Sequence, residues 1–364
     1  MDDPIVVASS SEEGDREAAD IAQQQPDDAA ATGDETPTQA EARCHQNVRQ
    51  ALIAEGLSEQ TIEILASSWR DGTKSQYRTY IEQWSKFCER SQYSTFRPVI
   101  GQVLQFFTDI YKDRSLGYSA MNTARSALST FIIIDGLPVG QHHLVKRFMK
   151  GVFNQRPALP RYNVMWDANI MLNHIKSLSP VASLTLKQLT YKLLSLMLLL
   201  SGQRGQTVHL IDIRNIDITP NRFNITIGDL TKTTRPGHHT EQLHFKAYAP
   251  NRRLCVHTVI QEYLRRTLEI RGKETRLFIG IRPPHRAISR DTLSRWVKEF
   301  MRDCGINMAI FAPHSVRSAA VSAVDRSTKV QLKTILRTAG WTTANTFTKY
   351  YKKPISENFS DGLL

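Results

Sequence analysis

The sequence predicts a mostly α-helical chain of two folded units, a helical bundle followed by an α+β unit with a small antiparallel sheet. Three observations carry this. Apolar residues recur at helical spacing from about Ser58 to Phe153. The run Gln155-Arg156-Pro157-Ala158-Leu159-Pro160-Arg161-Tyr162-Asn163 then breaks that pattern with two prolines. Beyond it, three β-like runs stand among further helical segments. A length of 364 residues suits two cores.

Residues 1–45 hold twelve acidic side chains with only Arg16 and Arg43 as bases, and they are too polar to offset chain entropy, so they read as disordered. The bundle is expected over 46–154. Its best helix is Thr73 to Glu89, where Tyr77, Tyr80, Ile81, Trp84, Phe87 and Cys88 share a face and Thr73 supplies the N-cap. Further helices are expected over Ile100 to Lys112, Ser119 to Ile134 and His142 to Phe153. Residues 155–163 form the linker and 164–364 the second unit. There the helices are Ala168 to Leu178 and Leu184 to Ser201, and the strands Leu210 to Ile218, Asn224 to Asp229 and Glu241 to Tyr248. Helices resume over Val256 to Ile270, Asp291 to Cys304 with Ser289 as N-cap, His314 to Val324 and Lys329 to Thr338.

Composition narrows the function. Removing the acidic leader from totals of 47 bases and 35 acids leaves 45 against 23, an excess of +22 that suits a polyanion such as duplex DNA. Cys44, Cys88, Cys255 and Cys304 lie far apart with no CxxC pair, which argues against a disulfide framework or a zinc site. The acidic start lacks the basic and apolar regions of a secretory signal, and the longest apolar run, Leu193 to Leu200, is too short for a membrane helix. An intracellular protein without a membrane segment is expected.

Six polar or aromatic positions in the second unit draw attention. His314-Ser315-Val316-Arg317 puts His and Arg one helical turn apart. Arg204 follows an apolar helix in Ser201-Gly202-Gln203-Arg204, and Lys232 lies on an inter-strand loop. Trp341 follows Gly340, and Tyr350 comes nine residues later. Read singly, each has a plainer role: a helix-capping arginine, a solvated lysine, a core tryptophan, an exposed tyrosine.

Together and in order, they resemble the catalytic domain of the tyrosine recombinases, the phage integrase, Xer and Cre family. Ser201-Gly202-Gln203-Arg204 is similar to the family's TGxR box, and Ile227-Gly228-Asp229-Leu230-Thr231-Lys232-Thr233 to the hairpin that delivers its catalytic lysine. His314 to Arg317 matches the HxxR box, and Trp341 the later His/Trp position. Trp69-Arg70-Asp71-Gly72-Thr73-Lys74-Ser75-Gln76-Tyr77 resembles the opening of the helical core-binding domain. In style the chain is similar to recombinases of DIRS-like or Crypton-like eukaryotic mobile elements.

The resemblance implies strand breakage and rejoining through a 3′-phosphotyrosyl link, with no metal, nucleotide or other cofactor. Arg204 and Arg317 would clamp phosphate oxygens, Lys232 would protonate the leaving 5′ oxygen with His314 assisting, and Trp341 would position the phosphate. Tyr350 would be the nucleophile on the family's spacing from Trp341. Tyr351 is its rival, since neighbouring phenols on a helix point about 100° apart. Double-stranded DNA, a homotetramer on two DNA sites and a nuclear location in a eukaryotic host are also implied. The alternative is a recombinase descendant that binds DNA and no longer cuts it. The chain departs from its relatives at Thr207, where many carry an acid, and in a short tail, where relatives dock a segment on a neighbouring protomer.

Overall fold

The computed structural model describes residues 48–50, 52–158, 162–232, 234–341 and 344–355, with the side chains of Thr346, Lys349 and Tyr350 outside the description. The acidic leader expected to be disordered falls outside it too. By its internal packing the chain divides into Met1–Arg161 and Tyr162–Leu364.

In the first unit, α1 (Glu59–Ala66) starts at Ser58, whose hydroxyl accepts from the Thr61 N–H. Helix α2 (Asp71–Ser91) begins two residues before the expected Thr73, with Arg70 at the cap. Asp71 in its first turn places a carboxylate at the positive end of the helix dipole. Trp84 of α2 has no exposed surface, packs edge-on to Phe106 at 5.3 Å, and donates from its indole to the Thr95 carbonyl at 3.0 Å. Around it close α3 (Ile100–Asp113), α4 (Tyr118–Leu128) and α5 (His143–Gln155).

Helix α4 stops at Leu128, short of the expected Ile134. Ile133–Ile134 (β1) instead pairs antiparallel with Leu137–Pro138 (β2). The cause is local: Asp135 and Gly136 both take positive φ, the two-residue hairpin turn that Asp-Gly favours, and β-branched isoleucines flank it.

The second unit is built on α7 (Leu186–Ser201), preceded by α6 (Ala168–Ser177). Thr185 and Gln188 close a reciprocal capping box at the start of α7, which is buried along most of its length. Packed against it are α9 (Val256–Thr267), α10 (Arg290–Asp303) and α11 (Ser315–Ser327). Ser289 caps α10, accepting from the Thr292 N–H at 3.1 Å. Helices α12 (Leu332–Ala339) and α13 (Ala344–Tyr350) complete the order.

The expected strand Leu210 to Ile218 is mostly something else. A short helix α8 (Gly205–His209) comes first, then a 3-10 turn at Ile213–Asn215, and only Ile216–Thr219 (β3) is sheet. The Asp212 carboxylate accepts from the Arg214 N–H at 2.9 Å and competes with the strand for that donor. Strands β4 (Arg222–Ile225) and β5 (Leu243–Lys246) complete a sheet in the order β3-β4-β5, antiparallel throughout. Phe223 and Phe245 are direct cross-strand partners and stack at 4.7 Å, closing the sheet onto the core. The β4–β5 connection, residues 226–242, carries Lys232.

Lys192, in the middle of α7, has no exposed surface. Its ammonium donates to the carbonyls of Ile175 and Leu178, at the C-terminal end of α6. Burial pushes its pKa down to about 8, with Arg253 adding repulsion. The unfolded chain holds this proton up to about pH 10.4. Between the two values the unfolded state binds more protons, so stability rises with pH. Unfolding measured from pH 7 to 10 should therefore show the wild type gaining on Lys192→Met above pH 8, with other titrations cancelling in the difference. A difference flat in pH would overturn this.

Candidate active site

Helix α7 ends at Gly202, whose φ of +59° reverses the chain. A Cβ there would stand 3.0 Å from Val321 Cγ2, so the glycine serves both the turn and a close approach to α11. The turn delivers Gln203 and Arg204, the latter half-buried at the start of α8. Thr207 is buried in α8, and its N–H donates to the Arg204 carbonyl at 3.0 Å.

His314 stands half-buried at the N-terminus of α11, and Arg317 lies one turn further, 2% exposed. Arg317 donates to the Gly202 carbonyl at 2.9 Å and the Ala339 carbonyl at 2.8 Å, which joins the ends of α7 and α12 across α11. Gln203 reinforces the junction by donating from Nε2 to the Thr338 carbonyl. Gly340, at φ +72°, then turns the chain to Trp341.

These pieces converge on one tyrosine. The Arg317 guanidinium lies 4.4 Å from the Trp341 ring centroid and 5.3 Å from that of Tyr351. The Trp341 and Tyr351 rings are 4.4 Å apart, and the Tyr351 hydroxyl stands 3.3 Å from His314 Nε2. The Tyr351 carbonyl accepts from the Ser322 hydroxyl of α11. Trp341 Nε1 is buried and meets no hydrogen-bond acceptor among the described residues, an orphan donor inside a cationic cluster.

Of the six positions singled out, Arg317 and Trp341 are thus in contact, His314 joins them through Tyr351, and Arg204 is two residues from the carbonyl that Arg317 grips. Lys232 is half-buried on the β4–β5 loop. Tyr350 is the last residue of α13, and its side chain lies outside the described residues. Sequence reasoning noticed Tyr351 only as a rival and missed Gln203 and Ser322 altogether. Gln203 sits inside the SGQR box and was the more legible of the two; Ser322 has no local signal.

No family model and no curated protein matches the chain. Solved structures do. A XerH site-specific recombinase in a post-cleavage complex with a palindromic difH substrate is 11% identical, with 93% of this chain and 92% of that one covered at a TM-score of 0.55. The same recombinase in a pre-cleavage complex gives 10% identity, coverage of 96% and 94%, and a TM-score of 0.53. The chain has the tyrosine recombinase fold. The integrase of the Tn1549 transposon, in complex with transposon right-end DNA, agrees at a TM-score of 0.51, 12% identity and coverage of 88% and 96%. In this tyrosine recombinase fold, the sheet, α11 and α13 present the loop lysine, the HxxR pair and the terminal tyrosines from separate parts of one unit.

The Gly202 turn is directly testable. Gly202→Ala forces a left-handed backbone on a residue with a Cβ and presses it against Val321, at a cost of about 1–2 kcal/mol. Chemical denaturation should show a lower midpoint, and an unchanged midpoint would remove the glycine from the argument.

Proposed function

We propose that this chain is a site-specific DNA recombinase that breaks and rejoins duplex DNA through a covalent 3′-phosphotyrosyl intermediate, serving integration or excision of a mobile element. The observation that carries the reading is the gathering of His314, Arg317 and Trp341 around Tyr351, the residue next after the end of α13 and Tyr350. The fold shared with DNA-bound XerH and Tn1549 integrase supports it. So does the +22 excess outside the leader.

The chemistry needs a nucleophile, cationic support for the phosphate oxygens and a proton for the leaving group. The phenol oxygen attacks phosphorus and gives its proton to the His314 side or to solvent. A P–O bond to tyrosine forms as the bond to the 5′ oxygen breaks, and that oxygen takes a proton from Lys232. Arg204 and Arg317 hold the non-bridging oxygens, with the Trp341 indole N–H as a further donor. Rejoining reverses each transfer. The phosphate remains esterified throughout, so no nucleotide is required.

Two phenols compete for the first step. Spacing from Trp341 assigns Tyr350, as the resemblance implies, whereas the hydroxyl 3.3 Å from His314 Nε2 belongs to Tyr351. Tyr351 is 1% exposed and packs among Val321, Ile335, Trp341 and Phe347, so its phenol reads as a core contact of His314, and we assign the nucleophile to Tyr350. A homotetramer on two DNA sites, an origin among DIRS-like or Crypton-like elements and a nuclear location belong to the same proposal.

The test does not need a known target. A random-sequence library of nicked duplexes, which lose the fragment needed for rejoining, is incubated with the protein, and DNA attached in SDS-resistant form is recovered. Tyr350→Phe should abolish recovery and Tyr351→Phe should retain it. The reverse result reassigns the nucleophile to Tyr351, and recovery from neither the wild type nor the variants leaves a DNA-binding descendant without strand transfer.

On a recovered sequence, Trp341→Phe keeps the packing and removes the N–H donor. Covalent complex formation should slow by roughly 10- to 100-fold, the value of one hydrogen bond to a charged group. A rate equal to wild type would show that the indole acts only by packing.

A further inference from the structure

The loop that carries Lys232 is 17 residues long, from 226 to 242, too long to place a proton donor by its sheet ends alone. Its first half nevertheless alternates like a strand. Ile227 is buried in the hydrophobic core, Thr231 is 3% exposed, and between them Asp229 meets Arg276, while Gly228 and Leu230 are exposed. The Thr231 hydroxyl meets the hydroxyls of Thr234 at 3.0 Å and Thr240 at 2.6 Å, and its N–H donates to Thr234 Oγ1. Lys232 is thus the residue next after the last inward anchor. A slip of one residue in this stretch would exchange Thr231 with Lys232 and turn the lysine inward.

Arg276 is itself held fast. The residues on either side of it pair with the segment just after α8: Ile213 N–H donates to the Thr275 carbonyl and Leu277 N–H to the Ile211 carbonyl, both at 2.8 Å. Its guanidinium donates to the Leu210 carbonyl at 2.6 Å and to both oxygens of Asp229, at 2.7 and 3.1 Å. The fork–carboxylate geometry fixes orientation as well as distance. The hydrogen bonds from Arg276 also hold the Asp229 carboxyl below its ordinary pKa. Through Leu210 the same arginine is tied to the peptide that follows Arg204 and α8.

We infer that Arg276 and Asp229 form a positioning clasp for Lys232, setting the register of the loop so that its ammonium reaches the leaving 5′ oxygen. The inference rests on the reading of Lys232 as general acid. Neither residue touches the reacting atoms; both act through the lysine.

The readout uses a bridging 5′-sulfur in place of the leaving oxygen. A thiolate departs without protonation, so a defect confined to the proton donor disappears on that substrate, whereas a general structural defect persists. Full-length Lys232→Ala, Asp229→Ala and Arg276→Lys are compared with wild type on oxygen and sulfur duplexes of a recovered sequence, with DNA affinity measured alongside. Lys232→Ala should slow cleavage of the oxygen substrate by roughly 10²- to 10⁴-fold and be restored on sulfur. Asp229→Ala should show the same pattern at roughly 10-fold or more, with DNA affinity unchanged. Arg276→Lys, which keeps the charge and loses the fork, should fall between Asp229→Ala and wild type.

Equal slowing of Asp229→Ala on both substrates, or none on either, overturns the clasp while Lys232 keeps its role. Failure of sulfur to restore Lys232→Ala overturns the general-acid reading and the clasp with it.

Discussion

The second unit depends on one buried cation. Arg317 is 2% exposed, and an ionised group taken from water at that depth costs several kcal/mol unless its donors are met. Its two terminal nitrogens are met by the carbonyls of Gly202, the C-cap of α7, and Ala339, the last residue of α12. Helix C-termini present unsatisfied carbonyls and the negative end of the helix dipole, so two of them converging on one guanidinium stabilise it without neutralising its charge. One residue therefore locks the tertiary arrangement and keeps a positive charge at the centre of the site. The Gly202 turn, the Gly340 turn and the tilted packing of Trp341 on Tyr351 all lie around it.

Long amphipathic helices were legible in the sequence because many residues vote for the same period. Helices α2, α3, α5, α7, α9 and α10 lie within a few residues of where periodicity put them. The misreadings fell where two or three residues decide. Asp135-Gly136 outweighed the helical pattern running through Ile134, and the Asp212 side chain outweighed the β-branched run Ile211, Ile213, Ile216 and Ile218. Apolar alternation cannot reveal such choices, because turn chemistry depends on a single side chain finding a backbone donor.

The site divides in the same way. Arg204, His314, Arg317 and Trp341 were singled out because each sits in a short local box, and His314, Arg317 and Trp341 all lie against Tyr351. The choice between Tyr350 and Tyr351 was not legible from spacing alone, since one residue of difference at the end of a helix rotates the phenol by about 100°. Ser322 and Arg276 were invisible for a further reason. Their partners, Tyr351 and Asp229, are 29 and 47 residues away, and no local pattern announces a contact of that range.

The region around the tyrosines is held at both ends. Lys352 donates from its N–H to the Phe347 carbonyl, Ser322 holds the Tyr351 carbonyl, and three residues on the Pro354 carbonyl accepts from the Met165 N–H at 2.8 Å. Ile355 pairs in parallel with Met165, so the described part of the tail returns to the opening of its own unit. Tyr351, fixed between α13 and a strand-like return, has few backbone conformations left to it. The same tie sets a limit on movement. Any displacement of Tyr351 larger than a side-chain rotation must break the Ser322 contact or peel Pro354 from Met165. The tail therefore ties the Tyr351 backbone to Met165 at the opening of the unit, and the two segments form one packed element.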